Sequence, residues 1–320
     1  APGQSATAVP MNMTNGVLRQ YNVTLERQVG NIGLRASFIG TRGGGMLYSL
    51  NIDKPQASTI PFTVSRRPWP QFTGTTVYRT DGVWHYDSLQ LEVQKRAGPL
   101  TFNSSFTWAN NINNYSNTQD PYNVTNNWSR DGSDRRLYFV TSATWEVPMG
   151  KGRRFLSKAP AAVNGVLGGW TSQAIVTLAS PLYFSPAFSG SDPSNTNTSG
   201  GLPDCTGDPY AAPQTFNQWF DPKAISIPTS GHYGNCGVNS LKGYPIKVAH
   251  LSLAKSFHMT ERLKTTFTAQ VSDLFNHPHF NNPNNNISNA NPGMFTSAVA
   301  NYNPEKQGYR QIDLKLRFEF

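Results

Sequence analysis

Two cysteines are the residues of this sequence whose type and spacing most directly allow a covalent reaction. Cys205 and Cys236 are the only cysteines among 320 residues, and both lie in a long polar segment, 180–245. If that segment lies in an oxidising compartment, we expect the two thiols to form a disulfide; two free thiols are the alternative. Two cysteines without a nearby pair of histidines do not supply the four ligands of a structural zinc site.

Other candidate reactive groups are sparse. His277-Pro278-His279 offers two metal ligands and no carboxylate at helical spacing, so we expect a loop outside a strand rather than a metal site. The run Arg42-Gly43-Gly44-Gly45 lacks the Gly-Lys-Ser/Thr of a phosphate loop. Only 18 residues are acidic, so paired carboxylates are scarce. We therefore expect neither an enzyme nor a bound cofactor.

The chain is basic, with 27 Lys and Arg against 18 Asp and Glu and a net charge of +9. A nucleic-acid binder collects its basic residues on one face. Here they are spread over predicted turns and strand ends, as in Arg66-Arg67, Arg135-Arg136 and Arg153-Arg154, and over polar strand faces. We therefore expect no nucleic-acid partner. A basic surface of this kind attracts anionic solutes or the phosphates of lipopolysaccharide.

The composition narrows the fold class. Charged residues make up 14% of the chain and hydrophobic residues 37%, whereas aromatic residues reach 12%. The low charge argues against a helical bundle or coiled coil, and the aromatic content argues against disorder. No run of about 18 apolar residues is present, which excludes a transmembrane helix but leaves open a barrel that crosses a membrane with strands.

The end of the sequence alternates strictly between apolar and polar side chains. Because successive side chains of a strand point to opposite faces, one face has Ile312, Leu314, Leu316, Phe318 and Phe320, and the other has Gln311, Asp313, Lys315, Arg317 and Glu319. A two-faced strand of about ten residues has the length that crosses a bilayer at a tilt. The alternative is the edge strand of a soluble sandwich, which has the same alternation.

The same alternation recurs along the chain and predicts about nine strands. In the strand before the last, for example, Lys264 and Gln270 oppose Phe267. The apolar stripes before the terminal one are Tyr21, Val23 and Leu25; Leu34, Ala36 and Phe38; Leu89, Leu91 and Val93; Leu100, Phe102, Phe106 and Trp108; Leu137, Phe139, Ala143 and Trp145; Trp170, Ala174, Val176 and Leu178; Ala249, Leu251, Leu253 and Phe257; and Phe267, Ala269 and Val271.

Short and long connectors alternate between the predicted strands. The tight turns are Val29-Gly30-Asn31, Arg96-Ala97-Gly98-Pro99 and Met259-Thr260-Glu261, and the longer stretch 148–167 takes the same kind of position. The long polar connectors are roughly 53–86, 110–134, 180–245 and 276–307. Outer-membrane barrels combine short periplasmic turns with long external loops, whereas a soluble sandwich has no reason to collect its long loops at one end.

This alternation sets the strand directions. If the chain ends in the periplasm, strand 308–320 runs inward and 262–275 runs outward. Tracing back, the strands that run inward are 246–258, 135–147, 86–97 and 17–29. An odd number of strands does not close in the usual bacterial way, so we expect upstream strands outside this sequence.

An ordered series of short motifs resembles the Oar-like TonB-dependent receptors of bacterial outer membranes, over almost the whole chain. The similarity is to the C-terminal part of their barrel. Singly the motifs are weak, and as an ordered series they are specific. They are Arg19-Gln-Tyr-Asn-Val-Thr-Leu-Glu-Arg-Gln, Phe38-Ile-Gly-Thr-Arg-Gly, Arg67-Pro-Trp-Pro-Gln-Phe72, Tyr86-Asp-Ser-Leu-Gln-Leu-Glu-Val-Gln-Lys-Arg96, Phe106-Thr-Trp-Ala, Trp145-Glu-Val-Pro-Met-Gly-Lys-Gly-Arg-Arg154, Gly168-Gly-Trp170, Phe220-Asp-Pro-Lys-Ala, Phe275-Asn-His-Pro-His-Phe280 and the terminal Phe320.

The resemblance implies an all-β, antiparallel transmembrane β-barrel of which residues 1–320 are the C-terminal portion, about nine strands of about 22. It also implies a plug and a TonB-contacting segment, which we expect in N-terminal parts outside this chain. Phe318 and Phe320 are implied as the signal read by the barrel-assembly machinery. A passive or structural outer-membrane barrel, such as a channel or adhesin, is the second function left open, and a soluble secreted β-sandwich is the third.

In the barrel interpretation each strand has a lipid face and a lumen face. The predicted lipid-facing residues are Ile312, Leu314, Leu316, Phe267, Phe139 and Leu137, and the predicted lumen-facing residues are Asp313, Lys315, Arg317, Lys264 and Gln270. Six aromatic residues near strand ends are predicted to form interfacial girdles: Trp108, Trp145, Trp170, Phe275, Phe318 and Phe320. The expected function is uptake or export of a bulky, unidentified solute across the bacterial outer membrane.

Overall fold

Alternating apolar and polar residues build the long strands of this chain. The computed structural model describes residues 3–124, 128–258, 263–299 and 309–320. The predicted turn at Met259-Thr260-Glu261 lies outside the described residues, and so do residues 300–307 of the predicted connector 276–307. Among the described residues, no helix has the length and apolar character needed to cross a membrane.

Fifteen strands, one α-helix and two short 3₁₀ helices make up the described secondary structure. The strands are β1 Ser5–Ala8, β2 Val17–Val29, β3 Ile32–Asn51, β4 Gly74–Lys95, β5 Leu100–Asn113, β6 Ser129–Arg130, β7 Leu137–Glu146, β8 Trp170–Ala179, β9 Tyr183–Phe184, β10 Asp204–Cys205, β11 Ile225–Ser226, β12 Leu241–Lys242, β13 Ile246–His258, β14 Lys264–Ser272 and β15 Gln311–Glu319. The helices are the 3₁₀ helix Val64–Arg66, the α-helix α1 Ala161–Leu167 and the 3₁₀ helix Pro222–Ala224.

One antiparallel sheet contains nine long strands in the order β15-β14-β13-β8-β7-β5-β4-β3-β2. The short strand β1 adds in parallel to β4, and β6 adds to β5. Each long strand therefore pairs with the next long strand along the chain, which is the pattern of an up-and-down meander. The predicted all-β antiparallel architecture is confirmed. The sheet is open in the described structure, with β2 and β15 at its edges.

The register places every predicted apolar stripe on the same face of this sheet. Leu314 is opposite Ala269, and Ala269 is opposite Leu253. The same pairing continues through all nine strands to Leu25, which is opposite Ala36. Residues directly opposite each other share a face, so we call the side with these residues the apolar face and the other side the polar face.

The apolar face is exposed, and the buried core lies elsewhere. Leu314 keeps 69% of its surface accessible, and Ile312 keeps 63%. By contrast, Phe220 and Leu241 of the connector 180–245 are almost completely buried, together with Phe184, Ile225 and Cys236. A water-soluble domain buries its strands' apolar side, whereas this chain buries part of its longest connector and leaves the sheet's apolar face open.

Strand boundaries differ from the prediction most at the β3–β4 hairpin and at the end of β14. β4 begins at Gly74 and β3 extends to Asn51, so this long connector is 52–73 rather than 53–86. The extension has register shifts between Gly44 and Tyr48, and Gly45 has a φ of 72°, so the regular alternation is interrupted there. β14 ends at Ser272 rather than 275, because Asp273 has a φ of 51°, outside the extended region.

Candidate functional site

The polar face contains an ion-pair group near the tight turn that joins β2 to β3. The guanidinium of Arg35 lies 2.6 Å from the carboxylate of Glu26 and 3.1 Å from that of Glu92, so one cation links three neighbouring strands. These residues line a concavity of about 360 Å³ together with Arg27 and Arg96. The site is open and charged, which suits a surface in contact with water and polar solutes.

A second charged group lies at the other edge of the sheet. Lys264 is 3.2 Å from Glu319, and Arg317 of β15 is 3.1 Å from the same carboxylate. The Lys315 ammonium donates to the side-chain oxygen of Gln270 at 3.4 Å. Asp313 is directly opposite Gln270 in the register. The five residues predicted to face a lumen are thus brought together on the polar face.

The six residues predicted to face lipid lie together on the apolar face. Leu316 is opposite Phe267, and Ile312 and Leu314 share their side of β15. Phe139 and Leu137 lie on the same face farther along the sheet, opposite Phe106 and Trp108. Phe318 is on this face too, and Phe320 follows β15 with 98% of its surface exposed.

The long connectors all lie at one end of the sheet and fold against one another. We call the described residues of 52–73, 114–136, 180–245 and 273–310 the loop cap. Arg66 donates to the backbone oxygen of Asn195 at 2.9 Å, and the side-chain amide of Asn195 donates to the backbone oxygen of Ser58 at 2.8 Å. Gln119 donates to the backbone oxygen of Gly234 at 3.2 Å. These contacts join three connectors that are far apart in sequence.

Burial perturbs a lysine and an aspartate of the loop cap. The ammonium of Lys54 donates to the backbone oxygen of Gln119 at 3.1 Å, and burial lowers the pKa of Lys54. Asp134 lies just before β7 begins, and burial raises the pKa of its carboxyl group. Both shifts have the sign expected where connectors exclude water from a charged group.

A disulfide joins Cys205 and Cys236 inside the longest connector, with 5.0 Å between their α-carbons. Cys236 belongs to the buried cluster that also contains Phe220 and Leu241. Next to this cluster, the Tyr210 hydroxyl accepts from the backbone nitrogen of Lys242 at 2.5 Å, and burial raises the pKa of Tyr210 to about 12. The loop cap therefore has a small buried core of its own, which includes a disulfide.

Five aromatic side chains form a second cluster where connectors 180–245 and 273–310 meet. We call Phe216, Trp219, Tyr244, Phe280 and Phe295 the aromatic cluster. The rings of Phe216 and Phe280 are 4.8 Å apart, and those of Trp219 and Phe295 are 5.1 Å apart. Phe216 keeps 52% of its surface exposed, whereas Phe295 keeps 8%. The cluster therefore presents an aromatic surface on a rigid base, which suits contact with sugar rings or flat organic groups.

The histidine pair is divided between two environments. His279 is buried and accepts from the backbone nitrogen of Lys247 at 3.3 Å. The ring of His277 instead lies 6.2 Å from that of Phe275. No group of three or more His, Cys, Asp or Glu residues suited to a metal ion occurs in the described part of the chain. His279 therefore helps to fix a connector to β13.

The aromatic cluster and the joined connectors were not predicted. Their members have no periodic spacing, because Phe216 and Phe280 come from connectors that fold together only in the tertiary structure. The one available signal was the presence of large aromatic residues in segments otherwise rich in Asn, Ser and Gly.

Comparison with known proteins agrees with the two-faced sheet. A model of the family described as "Outer membrane beta barrel domain" matches residues 1–313. No curated protein matches the sequence. The crystal structure of the outer membrane transporter YddB from Escherichia coli is similar at 8% identity and a TM-score of 0.48, over 99% of this chain and 34% of that chain. The copper transporter OprC is similar at 12% identity and a TM-score of 0.42, over 97% of this chain and 33% of that chain. The chain thus spans about a third of the length of each of these two proteins.

Proposed function

This chain belongs to the outer membrane β-barrel domain family and lies in the outer membrane, and from that premise we propose that it forms part of the wall of a TonB-dependent transporter for a bulky solute. In this proposal the protein captures the solute and lets it pass through the membrane, and it catalyses no reaction. The observation that supports this most is the single sheet with an apolar face, a charged polar face and a folded loop cap at one end.

We assign the apolar face to lipid and the polar face to the lumen. A barrel in a bilayer places apolar side chains outward and polar side chains inward, in alternation along each strand. Lipid then contacts Ile312, Leu314, Leu316, Phe267, Phe139 and Leu137, and the lumen contacts Asp313, Lys315, Arg317, Lys264 and Gln270. In this orientation the short turns lie in the periplasm and the loop cap lies outside the cell.

The loop cap is the proposed capture surface. Its connectors hold one another through hydrogen bonds between distant residues, and its core contains the Cys205–Cys236 disulfide. A preformed surface loses less conformational entropy on binding than a set of free loops. The half-exposed ring of Phe216 supplies an aromatic contact for such a solute.

The two open edges of the sheet support a larger barrel. Unpaired backbone groups are costly in lipid, so β2 and β15 each need a partner strand. Both strands run towards the short-turn end, and pairing them with each other would give a parallel contact. We propose instead that further strands pair with these edges, giving about 22 in total, with a plug and a TonB-contacting segment in the same protein. Phe318 and Phe320 are the proposed signal for the barrel-assembly machinery.

Uptake measurements with and without TonB test this function. We expect a strain lacking the protein to lose growth on one solute from a panel of ferric siderophores, glycans and peptides, and expect deletion of TonB to give the same loss. Uptake that persists without TonB, together with steady ion conductance of the purified protein in planar bilayers, would instead establish a passive channel. The two outcomes separate energised transport from the second candidate function.

A further inference from the structure

The connection between β7 and β8 is much longer than its hairpin requires. The backbone nitrogen of Val147 donates to the oxygen of Trp170 at 2.9 Å, which closes the hairpin at that level. The intervening residues, 148–169, therefore form an excursion at the short-turn end, which we call the 148–169 segment. It contains α1. By contrast, β2 and β3 are joined there through Gly30 and Asn31 alone.

Contacts at the C-terminal end of α1 fix this segment against the apolar face. Lys255 is opposite Trp170 and Phe267, so its side chain belongs to that face. Its ammonium donates to the backbone oxygen of Gly165 at 2.5 Å, and the indole of Trp170 donates to the oxygen of Val166 at 2.8 Å. The last carbonyls of a helix are otherwise unpaired and have partial negative charge, so a cation and an indole N–H stabilise them.

Lys255 is otherwise enclosed by aromatic rings. Its ammonium lies 5.1 Å from the ring centre of Phe257 and 5.8 Å from that of Trp170, and only 6% of the residue is exposed. A cation on a lipid-facing surface is costly unless it is paired. The helix carbonyls and the two rings supply this pairing. The helix α1 therefore covers the Lys255 side chain, which would otherwise point into lipid.

The side of α1 away from these contacts is apolar and exposed. Val163, Val166 and Leu167 lie at helical spacing and keep 38%, 67% and 43% of their surfaces accessible. Before the helix, Phe155 and Leu156 keep 53% and 41%. This apolar surface is continuous with the apolar face of the sheet through Trp170, whose ring also packs edge-on against Phe267.

The same segment is strongly basic. It contains Lys151, Arg153, Arg154 and Lys158 and no acidic residue. Arg153 lies 3.2 Å from Glu146 of β7, and both side chains are about half exposed. Arg154 stacks over the ring of Phe155 at 5.5 Å. Apolar side chains beside a cluster of cations are the signature of a segment that lies in a membrane interface with anionic headgroups.

We propose that the 148–169 segment is an interfacial lipid anchor: Val163, Val166 and Leu167 lie among acyl chains of the periplasmic leaflet, and the four cations bind anionic phospholipid headgroups. This site goes beyond the transport function and uses only the placement of the apolar face in lipid. Its occupant is phospholipid, because the apolar surface continues the lipid-facing side of the sheet and the cations match an anionic headgroup in charge.

Nitroxide labels measure the depth of the segment. The protein, folded into vesicles of phosphatidylcholine and phosphatidylglycerol at a ratio of about 3:1, is labelled at Val166→Cys or at Ala161→Cys. The native cysteines are joined in a disulfide and do not react. Positions 161 and 166 lie on opposite sides of α1. We expect the label at 166 to collide more with dissolved oxygen than with a water-soluble nickel chelate, and the label at 161 to show the reverse. Equal exposure of both labels to the chelate would overturn the anchor.

Lipid selectivity is measured in the same vesicles. A bimane dye at Val166→Cys is quenched by headgroup-labelled phosphatidylglycerol or phosphatidylcholine, and we expect about threefold stronger quenching by the anionic lipid. The preference should fall to about one in Arg153→Gln/Arg154→Gln/Lys158→Gln and persist in Arg153→Lys/Arg154→Lys. A preference unchanged by the neutral variant would overturn headgroup binding.

A dye at Leu89→Cys, on the apolar face of β4 and two strands away from β7, separates this proposal from the proposed function. The dye at 89 is tested with lipid that bears the quencher on its acyl chain, and quenching there shows that the sheet is inserted, whatever the result at 166. If the dye at 89 is quenched and that at 166 is not, the anchor fails and the barrel stands. If neither is quenched, both the anchor and the placement of the sheet in lipid fail.

Discussion

Leu314 lies directly opposite Ala269 in the β14–β15 pair, and both side chains are on the apolar face. One residue earlier, Asp313 is opposite Gln270 on the polar face. A shift of one residue in this register would move every side chain of β15 to the wrong face. The agreement of the register with the apolar pattern in all nine long strands is what makes the sheet suitable for a boundary between lipid and water.

A charge on the apolar face should be costly. We expect Leu314→Arg to lower the free energy of unfolding by about 2–4 kcal/mol, because arginine near the middle of the bilayer loses its hydration. The measurement is urea-induced unfolding in lipid vesicles, followed by tryptophan fluorescence.

Gln270→Arg is the matched control for that variant. It places the same side chain on the neighbouring strand but on the polar face, opposite Asp313. We expect a change below about 1 kcal/mol, as for exposed ion pairs. Equal destabilisation by both substitutions would contradict the assignment of the two faces.

The disulfide should stabilise the loop cap without supporting the sheet. Closing a loop of this length contributes about 3–4 kcal/mol in the chain-entropy account. We expect Cys205→Ser/Cys236→Ser to make the connector 180–245 far more sensitive to protease, with unchanged strand content by circular dichroism. Loss of the strand signal would show that the sheet depends on the loop cap.

Two tyrosines of the loop cap should ionise at unusually high pH. Burial raises the pKa of Tyr210 and of Tyr233 to about 12, above the ordinary value of about 10. The folded state therefore keeps these protons while the unfolded state loses them, so their stabilising contribution is full below about pH 10 and is lost as pH rises to about 12. Absorbance at 295 nm should lose amplitude near pH 12 in Tyr210→Phe/Tyr233→Phe, and a loss of amplitude near pH 10 instead would refute the burial.

Lys255 should hold the 148–169 segment to the sheet. We expect Lys255→Met to raise the rate of trypsin cleavage after Arg154 or Lys158 roughly tenfold in detergent, because hydrogen bonds from a charged group are worth about 1.5–3 kcal/mol. Lys264→Met breaks the ion pair with Glu319 on the other face and is the control. Similar cleavage rates in both variants would contradict a specific role for Lys255.

Sequence patterns predicted the part of the fold that repeats. β2 was predicted at 17–29 and spans Val17–Val29, because strict alternation ends at a Gly turn. The outer end of the β3–β4 hairpin was missed, since the register shifts between Gly44 and Tyr48 interrupt the regular alternation there. A bulge adds an unpaired residue to one strand, so a rule of period two loses its phase there.

For the candidate site, as for the fold, the sequence predicted only the residues that follow the period-two spacing of the strands. The lumen-side assignment of Lys264 and Gln270 follows from period-two spacing, and the register places them together with β15. The contact between Arg66 and Asn195 joins residues 129 positions apart through a backbone oxygen, which no local pattern encodes. The helix α1 is also too short to show a helical period in a Gly-rich segment.

The migration of the protein on a gel with and without boiling tests the membrane barrel most directly. The protein is extracted from the outer-membrane fraction in mild detergent and run in both states. Closed outer-membrane barrels resist unfolding by detergent until heated, because every backbone group is paired. We predict a faster-migrating band in the unboiled sample that shifts to the full mass on boiling. A protein found in the soluble fraction, with one band unchanged by boiling, would contradict the membrane barrel.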